Sequence, residues 1–230
     1  MKIAVLMSGQ ARHLEQSAIW WRERLFPNWH NHIHVDYYFH LWDDGTQNLN
    51  ERVRELYGAK VVEISNYDEV VTDHISKVKN ANLELENTKY GANWHIVPDY
   101  VQHTVCYQGA EMSQYTYNFP GMFLATAKMA QTFEPYHKDY DVVFKTRTDC
   151  ILNPMAEHHW SKLLNNLLRA PHFNDIIFSP WLRIRNGLPF FGDLAFVGKS
   201  RLMQNFMRDM DKSLVKLATH DKHLLSDYMI

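Results

Sequence analysis

The chain is short of cysteine, with Cys106 and Cys150 the only two in 230 residues. Two thiols cannot build a disulfide framework or a four-cysteine zinc site, so both are excluded. There is no Asn-x-Ser/Thr sequon, and the first apolar run, Ile3 to Met7, is too short for a signal-peptide core. No stretch approaches the ~20 apolar residues that span a bilayer. These absences predict a cytoplasmic protein with no membrane span. An excess of one charge is also missing: 24 Lys plus Arg stand against 26 Asp plus Glu, a net charge of -2. Without a basic excess to neutralise phosphates, nucleic acid is not the expected partner.

Some familiar signatures are absent as well. There is no Gly-x-Gly-x-x-Gly fingerprint, no Walker loop, no Gly-x-Ser-x-Gly elbow and no kinase motif set. Cys150 has no histidine beside it in sequence, which argues against a thiol nucleophile. No internal repeat, low-complexity tract or linker interrupts the chain. A composition of 46% hydrophobic and 22% charged residues is that of a packed globule. The 14 His, 7 Trp, 12 Tyr and 12 Phe either face a ligand or fill a core.

Apolar periodicity organises what is there. Lys2 to Met7 is a continuous apolar run, as in a strand buried on both faces, and it stops at Ser8-Gly9-Gln10. Leu14, Ala18, Trp21 and Leu25 follow at helical spacing until Pro27. Ile33 to Trp42 alternates with period two and ends at Asp43-Asp44-Gly45, a turn signal. A short polar helix at Leu49 to Leu56 and a strand at Lys60 to Ile64 complete a βαβαβ pattern. That pattern favours a mostly parallel sheet.

From Ser65 to Gln114 the chain is polar and rich in Asn and Tyr, with no periodicity that assigns elements. Order returns with a helix from Pro120 to Phe133 and an apolar strand leading into Lys145-Thr146-Arg147-Thr148-Asp149. Asn153-Pro154 opens a further helix, Asp175 to Phe178 and Leu194 to Val197 read as strands, and Ser200 suits the cap of a last helix. The expectation is one α/β domain over residues 1–230, with a mostly parallel central sheet flanked by helices. Residues 1–64 and 114–200 form its core, and 65–113 form a variable insertion.

Three stretches can carry chemistry. The Ser8-Gly9-Gln10-Ala11-Arg12 turn joins a strand's carboxyl end to a helix, where open α/β sheets place ligands. Gly9 lets backbone approach a ligand, and Arg12 suits phosphate oxygens. The plain alternative is an ordinary βα turn with a surface arginine. Lys145, Arg147 and Asp149 fall on one side of an extended run, offering two cations to a diphosphate and a carboxylate to a divalent metal. Here the alternative is an internal Arg–Asp pair. Gly192-Asp193 precedes an apolar strand, so Asp193 can act as a general base or simply close a turn. Histidines tempt a metal reading: His30, His32 and His34 alternate, His158-His159 sits in a helix, and His220 and His223 flank Asp221. Only His220 is retained, as a possible contact to a metal or phosphate near the C-terminus.

Together these residues resemble a group of small GT-A type glycosyltransferase-like proteins common in bacterial and viral polysaccharide gene sets. The likeness rests on Lys2 to Arg12 with its Ser-Gly-Gln-x-Arg turn, on Asp36 to Asp43 ending His40-Leu41-Trp42-Asp43, and on Tyr140 to Asp149. Gly192-Asp193 with Phe196-Val197-Gly198 is consistent as a fourth block. The resemblance implies a GT-A-like fold and a nucleotide-sugar donor held by Ser8, Gly9, Gln10 and Arg12, with Trp42 and Asp43 near base or ribose. It places Asp149 at the last Asp of an Asp-x-Asp metal motif, with Mn²⁺ or Mg²⁺ as the expected cofactor. The first Asp of that motif is replaced by Arg147. Arg147 therefore stands as the metal-free way to stabilise a departing nucleoside diphosphate.

The implied activity is transfer of a sugar from a nucleotide donor to a hydroxyl of a glycan or other acceptor, with Asp193 as base if the reaction inverts. Tyr90, Trp94, His95, Tyr107 and Tyr115 are candidates for the acceptor side, ordinary packing being the other reading. Two rivals stand beside it: a catalytically silent carbohydrate- or nucleotide-binding protein, and another nucleotide-using α/β enzyme such as a nucleotidyltransferase.

Overall fold

The computed structural model describes residues 1–25, 33–86, 94–98, 102–107, 110–116, 118–150, 177, 182–185, 188–191, 195–210 and 212. The chain divides into two compact units, residues 1–65 with 128–208, and residues 66–127 with 209–230.

The first unit is an α/β layer structure. Its elements are β1 (Lys2–Gly9), α1 (Leu14–Ala18), β2 (His34–Trp42), α2 (Leu49–Tyr57) and β3 (Val61–Ser65). The order of its strands in the sheet is completed by two later elements, and the second unit begins with α3 (Tyr67–Glu86), β4 (Trp94–Pro98), β5 (Gln102–Tyr107) and β6 (Ala110–Thr116). The helix α4 (Asn118–Phe133) runs from the second unit into the first. After it come β7 (Val142–Thr146), a hairpin of β8 (Leu182–Arg185) and β9 (Leu188–Phe191), then β10 (Ala195–Lys199) and α5 (Ser200–Arg208).

Five strands form the central sheet in the order β10-β7-β1-β2-β3. All neighbours pair in parallel except β10, which runs antiparallel to β7. The sheet is buried on both sides because apolar residues occupy both faces of its central strands. Ile3, Val5, Met7, Phe39, Leu41 and Phe144 belong to one core cluster, and Ala4, Leu6, Tyr38 and Val143 to the other. Each such fully buried large side chain contributes about 1.5–3 kcal/mol of hydrophobic stabilisation. Met129 and Phe133 of α4, with Met203 and Met207 of α5, cover the second face.

The segment expected as one helix over Leu14 to Leu25 is α-helical only to Ala18 and continues as a π-helix over Ile19–Leu25. Adjacent Trp20 and Trp21 are both buried in the same core cluster, which the wider π turn accommodates. The stretch that sequence periodicity left unassigned contains α3 and the antiparallel sheet β4-β5-β6, with a register shift at Val105/Cys106. In the same unit Gly121 meets the Tyr67 ring: a Cβ there would stand 2.5 Å from Cε2. Ser200 opens α5 but does not cap it; its Oγ donates to the His137 carbonyl at 2.6 Å. The helix expected from Asn153 and the strand expected at Asp175 to Phe178 fall outside the described residues, Ile177 excepted.

Candidate functional site

Strand order sets where a ligand can enter. From β1 the chain steps to β2 and β3 on one side, then returns to place β7 on the other. The reversal lies between β1 and β7, the point at which open α/β sheets place their ligands. The loops at that point are Ser8–Arg12 and Arg147–Cys150, and the register pairs Met7 with Thr146 just below them.

Thr148 joins the two loops. Its Oγ1 donates to the Gln10 carbonyl at 2.5 Å and accepts from the Arg12 amide at 3.1 Å. The Arg12 amide also reaches the Gln10 carbonyl at 3.0 Å, closing a tight turn. Gly9 permits that turn with φ at +110°, a backbone region that strains any other residue. Beneath the second loop, Trp21 Nε1 donates to the Cys150 carbonyl at 3.1 Å. Thr148, to which the sequence assigns no role, is the residue that links the loops.

Arg147 and Asp149 form a two-pronged pair. Nε donates to Oδ1 at 2.9 Å and Nη2 to Oδ2 at 2.7 Å. Such a fork–fork pair is geometrically specific and shields both carboxylate oxygens. The internal Arg–Asp alternative is thus what the coordinates contain. The pair is partly exposed, at 28% and 19% of the two side chains. The charge of its guanidinium is largely balanced by Asp149.

Lys145 does not join them through strand alternation. The extended run ends at Thr146 and the chain turns at Thr148-Asp149, so strand alternation does not reach Arg147 and Asp149. Lys145 is buried within the strand instead, with Nζ 6.0 Å from the centroid of the Phe196 ring, at the limit of cation–π attraction.

The neighbouring strand adds a residue the sequence did not single out. Ser8 and His40 are register partners on β1 and β2, and both are buried. Among the described residues Ser8 Oγ and His40 Nδ1 have no hydrogen-bond partner, while His40 Nε2 lies 2.9 Å from Ser65 Oγ. Burial, assisted by the Lys128 charge, lowers the His40 pKa to about 4, so the ring is neutral. Two orphaned polar atoms side by side at a strand exit are uncommon in a finished core. Only knowledge of the register could have revealed the pairing.

Trp42 is buried with its ring edge-on to His40, centroids 5.4 Å apart. Asp43 is exposed and spends one carboxylate oxygen on its own turn, accepting from the Gly45 amide at 3.0 Å. Burial also raises the Cys150 thiol pKa, which keeps it protonated and inert. Asp193 and His220 lie outside the described residues, as do Tyr90, His30, His32, His158, His159 and His223. In the second unit Trp94 sits opposite Tyr107, His95 opposite Cys106 and His103 opposite Tyr115.

The described residues do not by themselves fit a divalent metal. No group of three or more His, Cys, Asp or Glu converges among them, and both oxygens of Asp149 are engaged by Arg147.

No protein-family model and no curated protein sequence matches the chain. Among solved structures, the apo form of mouse xyloside xylosyltransferase 1 is similar at a TM-score of 0.40 and 12% identity. The match covers 95% of this chain and 76% of that one. A likeness of that strength carries no functional argument. What the structure shows is an α/β unit with a mostly parallel sheet, its loops after β1 and β7 joined at the switch point.

Proposed function

We propose that the chain is a nucleotide-sugar-dependent glycosyltransferase, moving a sugar from a nucleoside-diphosphate donor to a hydroxyl of a glycan or other acceptor. The observation that carries this reading is the Thr148 link between the Gly9 turn and the Arg147–Asp149 pair at the β1/β7 switch point. It supports a donor cradle of Ser8, Gly9, Gln10 and Arg12, whose backbone and guanidinium suit a diphosphate. Trp42 and Asp43 end the next strand and form the wall nearest the nucleoside. Arg147 stabilises charge on the departing diphosphate, a task in which one well-placed donor is worth about 10²–10³ in rate. Lys145 contributes long-range positive charge from within the sheet. Asp193 is the proposed base for the acceptor hydroxyl.

A bound Mn²⁺ or Mg²⁺ would supply Lewis-acid stabilisation of the same leaving group. Asp149 would hold it only on release from Arg147, which engages both of its oxygens. Residues 1–230 are proposed to act as one catalytic domain in the cytoplasm.

The Arg147–Asp149 pair also favours one rival, a silent binder, since a carboxylate held at both oxygens is poorly placed for a metal. A thermal-shift screen with UDP, GDP, CMP and their sugar conjugates, each with and without Mn²⁺, separates these readings. A ligand that binds only the folded state raises Tm by mass action. The proposal expects a shift with one nucleotide class, followed by nucleoside diphosphate release when acceptor is supplied. Binding without turnover would move the chain to the silent class, and release of pyrophosphate would make it a nucleotidyltransferase. Asp193→Asn should lower kcat by about 10² or more if it is the base.

A further inference from the structure

At the other end of β7, away from the proposed donor cradle, the first unit holds a second concavity of about 940 Å³. Its lining comes from the segment before β7, the end of β10 and one face of α5 from Ser200 to Arg208. Because β10 is antiparallel to β7, Lys199 pairs with Val142 there, four residues from the Thr146 end. That spacing is roughly 13 Å along the strand.

The charges in this cavity are unequal in their engagement. Lys138, Lys199 and Arg201 line it, and among the described residues none of the three is paired with a carboxylate. Arg208 adds a fourth cation and is already engaged within the chain. The two carboxylates of the lining are both occupied: Asp141 accepts the Lys2 amide at 2.9 Å, and Glu134 accepts from Gln204 Nε2. The opening turn of α5 adds the positive end of a helix dipole. The four cations of the lining thus outnumber its two carboxylates, and three of them have no carboxylate partner among the described residues.

Its wall also carries an unmet acceptor. Gln204 is 2% exposed, and its Nε2 donates to the Ala130 carbonyl at 2.8 Å as well as to Glu134. Both partners are acceptors, which fixes the amide orientation and leaves Oε1 as the buried atom without a partner. An inorganic sulfate carries no proton for that oxygen, and a cavity of this volume, within the 300–1,000 Å³ of small-molecule sites, is far larger than a lone ion needs. A ligand that satisfies both features must bring an acidic group for the cations and a hydroxyl for Gln204.

We propose that this cavity is a binding site for an acidic carbohydrate, a sugar bearing a carboxylate or phosphate group. Lys138, Lys199 and Arg201 meet its acid group, and Gln204 Oε1 accepts from one of its hydroxyls. The site is separate from the donor cradle, and the inference does not depend on the proposed transferase activity.

The test is calorimetric titration of the full chain with a short oligoglucuronate and with glucose 6-phosphate, which distinguish the two sources of acid group. The controls are a neutral cello-oligosaccharide of the same length, inorganic sulfate and a single-stranded oligonucleotide. The expected result is that one of the acidic sugars binds at least tenfold more tightly than any control. Lys199→Ala with Arg201→Ala should remove at least tenfold of that affinity, leaving Tm and nucleotide binding unchanged. Gln204→Leu should weaken the acidic sugar further, and if it fails to fold the Lys199/Arg201 variant still decides the matter. Equal binding of the neutral sugar, of sulfate or of the oligonucleotide would overturn the proposal. So would failure of both acidic sugars to bind at millimolar concentration, or an unchanged affinity in the double variant.

Discussion

The hydroxyl of Thr148 stands 3.1 Å from the backbone amide of Arg12, 136 residues away in the chain. With its second bond, to the Gln10 carbonyl, it holds the loop after β1 against the loop after β7. Diphosphate binding at a strand exit depends on backbone donors already in place, so this link is the part of the switch point most open to test.

Thr148→Val keeps the shape of the side chain and removes both bonds. Each is worth about 1 kcal/mol net, and the turn they order would have to be ordered by the ligand instead. Nucleoside diphosphate affinity should fall about tenfold, the equivalent of 1.4 kcal/mol, and Tm should drop by several degrees, about 2–4 °C per kcal/mol. Calorimetry on the two proteins gives the answer, and equal affinities would detach Thr148 from ligand binding.

Arg147 and Asp149 should behave as a unit. Arg147→Ala removes the cation facing the leaving group and should lower kcat by about 10²–10³. Asp149→Asn should remove most turnover while the fold stays intact, because the pair is partly exposed and its loss leaves no buried charge. In the double variant the losses should be less than additive, as expected of groups in direct contact. Additive losses would mean that the two residues act separately.

Asp36 carries the buried polar network of the first unit. It accepts from the Tyr140 hydroxyl at 2.6 Å and from Lys60 Nζ at 2.8 Å, and Tyr38 Oη lies 2.7 Å from Tyr140 Oη. Burial alone would raise its pKa; the bonds from Lys60 and Tyr140 outweigh that and hold it below the ordinary value. The stabilisation is therefore complete above the unfolded value near 3.9 and is lost as the pH falls through the lower folded value. Asp36→Asn should cost about 1–2 kcal/mol at neutral pH and flatten the acid limb of the stability curve. A parallel acid limb in denaturant titrations of the variant would contradict this.

His40 adds a second acid-sensitive window with a different origin. Its ring titrates near 4 when folded, because of burial and then the Lys128 charge, against about 6.5 when unfolded. As the pH falls the unfolded chain takes up the proton first, so stability is complete above about 6.5 and declines down to about 4. The loss is on the order of 3 kcal/mol at most. His40→Gln should remove that slope between pH 6.5 and 4, as read by thermal melts. The slope surviving unchanged would place the proton elsewhere.

How much of this was legible in the sequence follows from where residues are buried. The strands β1, β2 and β7 announce themselves because both their faces are covered, and continuous or alternating apolar runs such as Ile3 to Met7 have few other uses. The turn at Gly9 was readable for a similar reason, since Ser-Gly-Gln interrupts such a run abruptly. The helix α3 was not readable: Asp68, Glu69, Asp73, Lys77 and Lys79 dilute its apolar positions, leaving no clear stripe. The strand exit at Lys145 to Asp149 was only partly readable, because the extended run stops at Thr146 and the chain turns beyond it. Thr148 and His40 were invisible for another reason. Their roles arise from neighbours 138 and 32 residues distant, Gln10 and Ser8, and register alone brings those together.

The central claim is that the switch point between β1 and β7 binds a nucleotide. The direct measurement is calorimetric titration of UDP, GDP and CMP into the wild-type chain and into Arg12→Ala, with and without Mn²⁺. One nucleotide should bind the wild type and lose about tenfold in affinity with Arg12→Ala, the usual weight of one charge-assisted contact. Equal affinity in the two proteins, or no binding to either, would contradict the placement of the donor site.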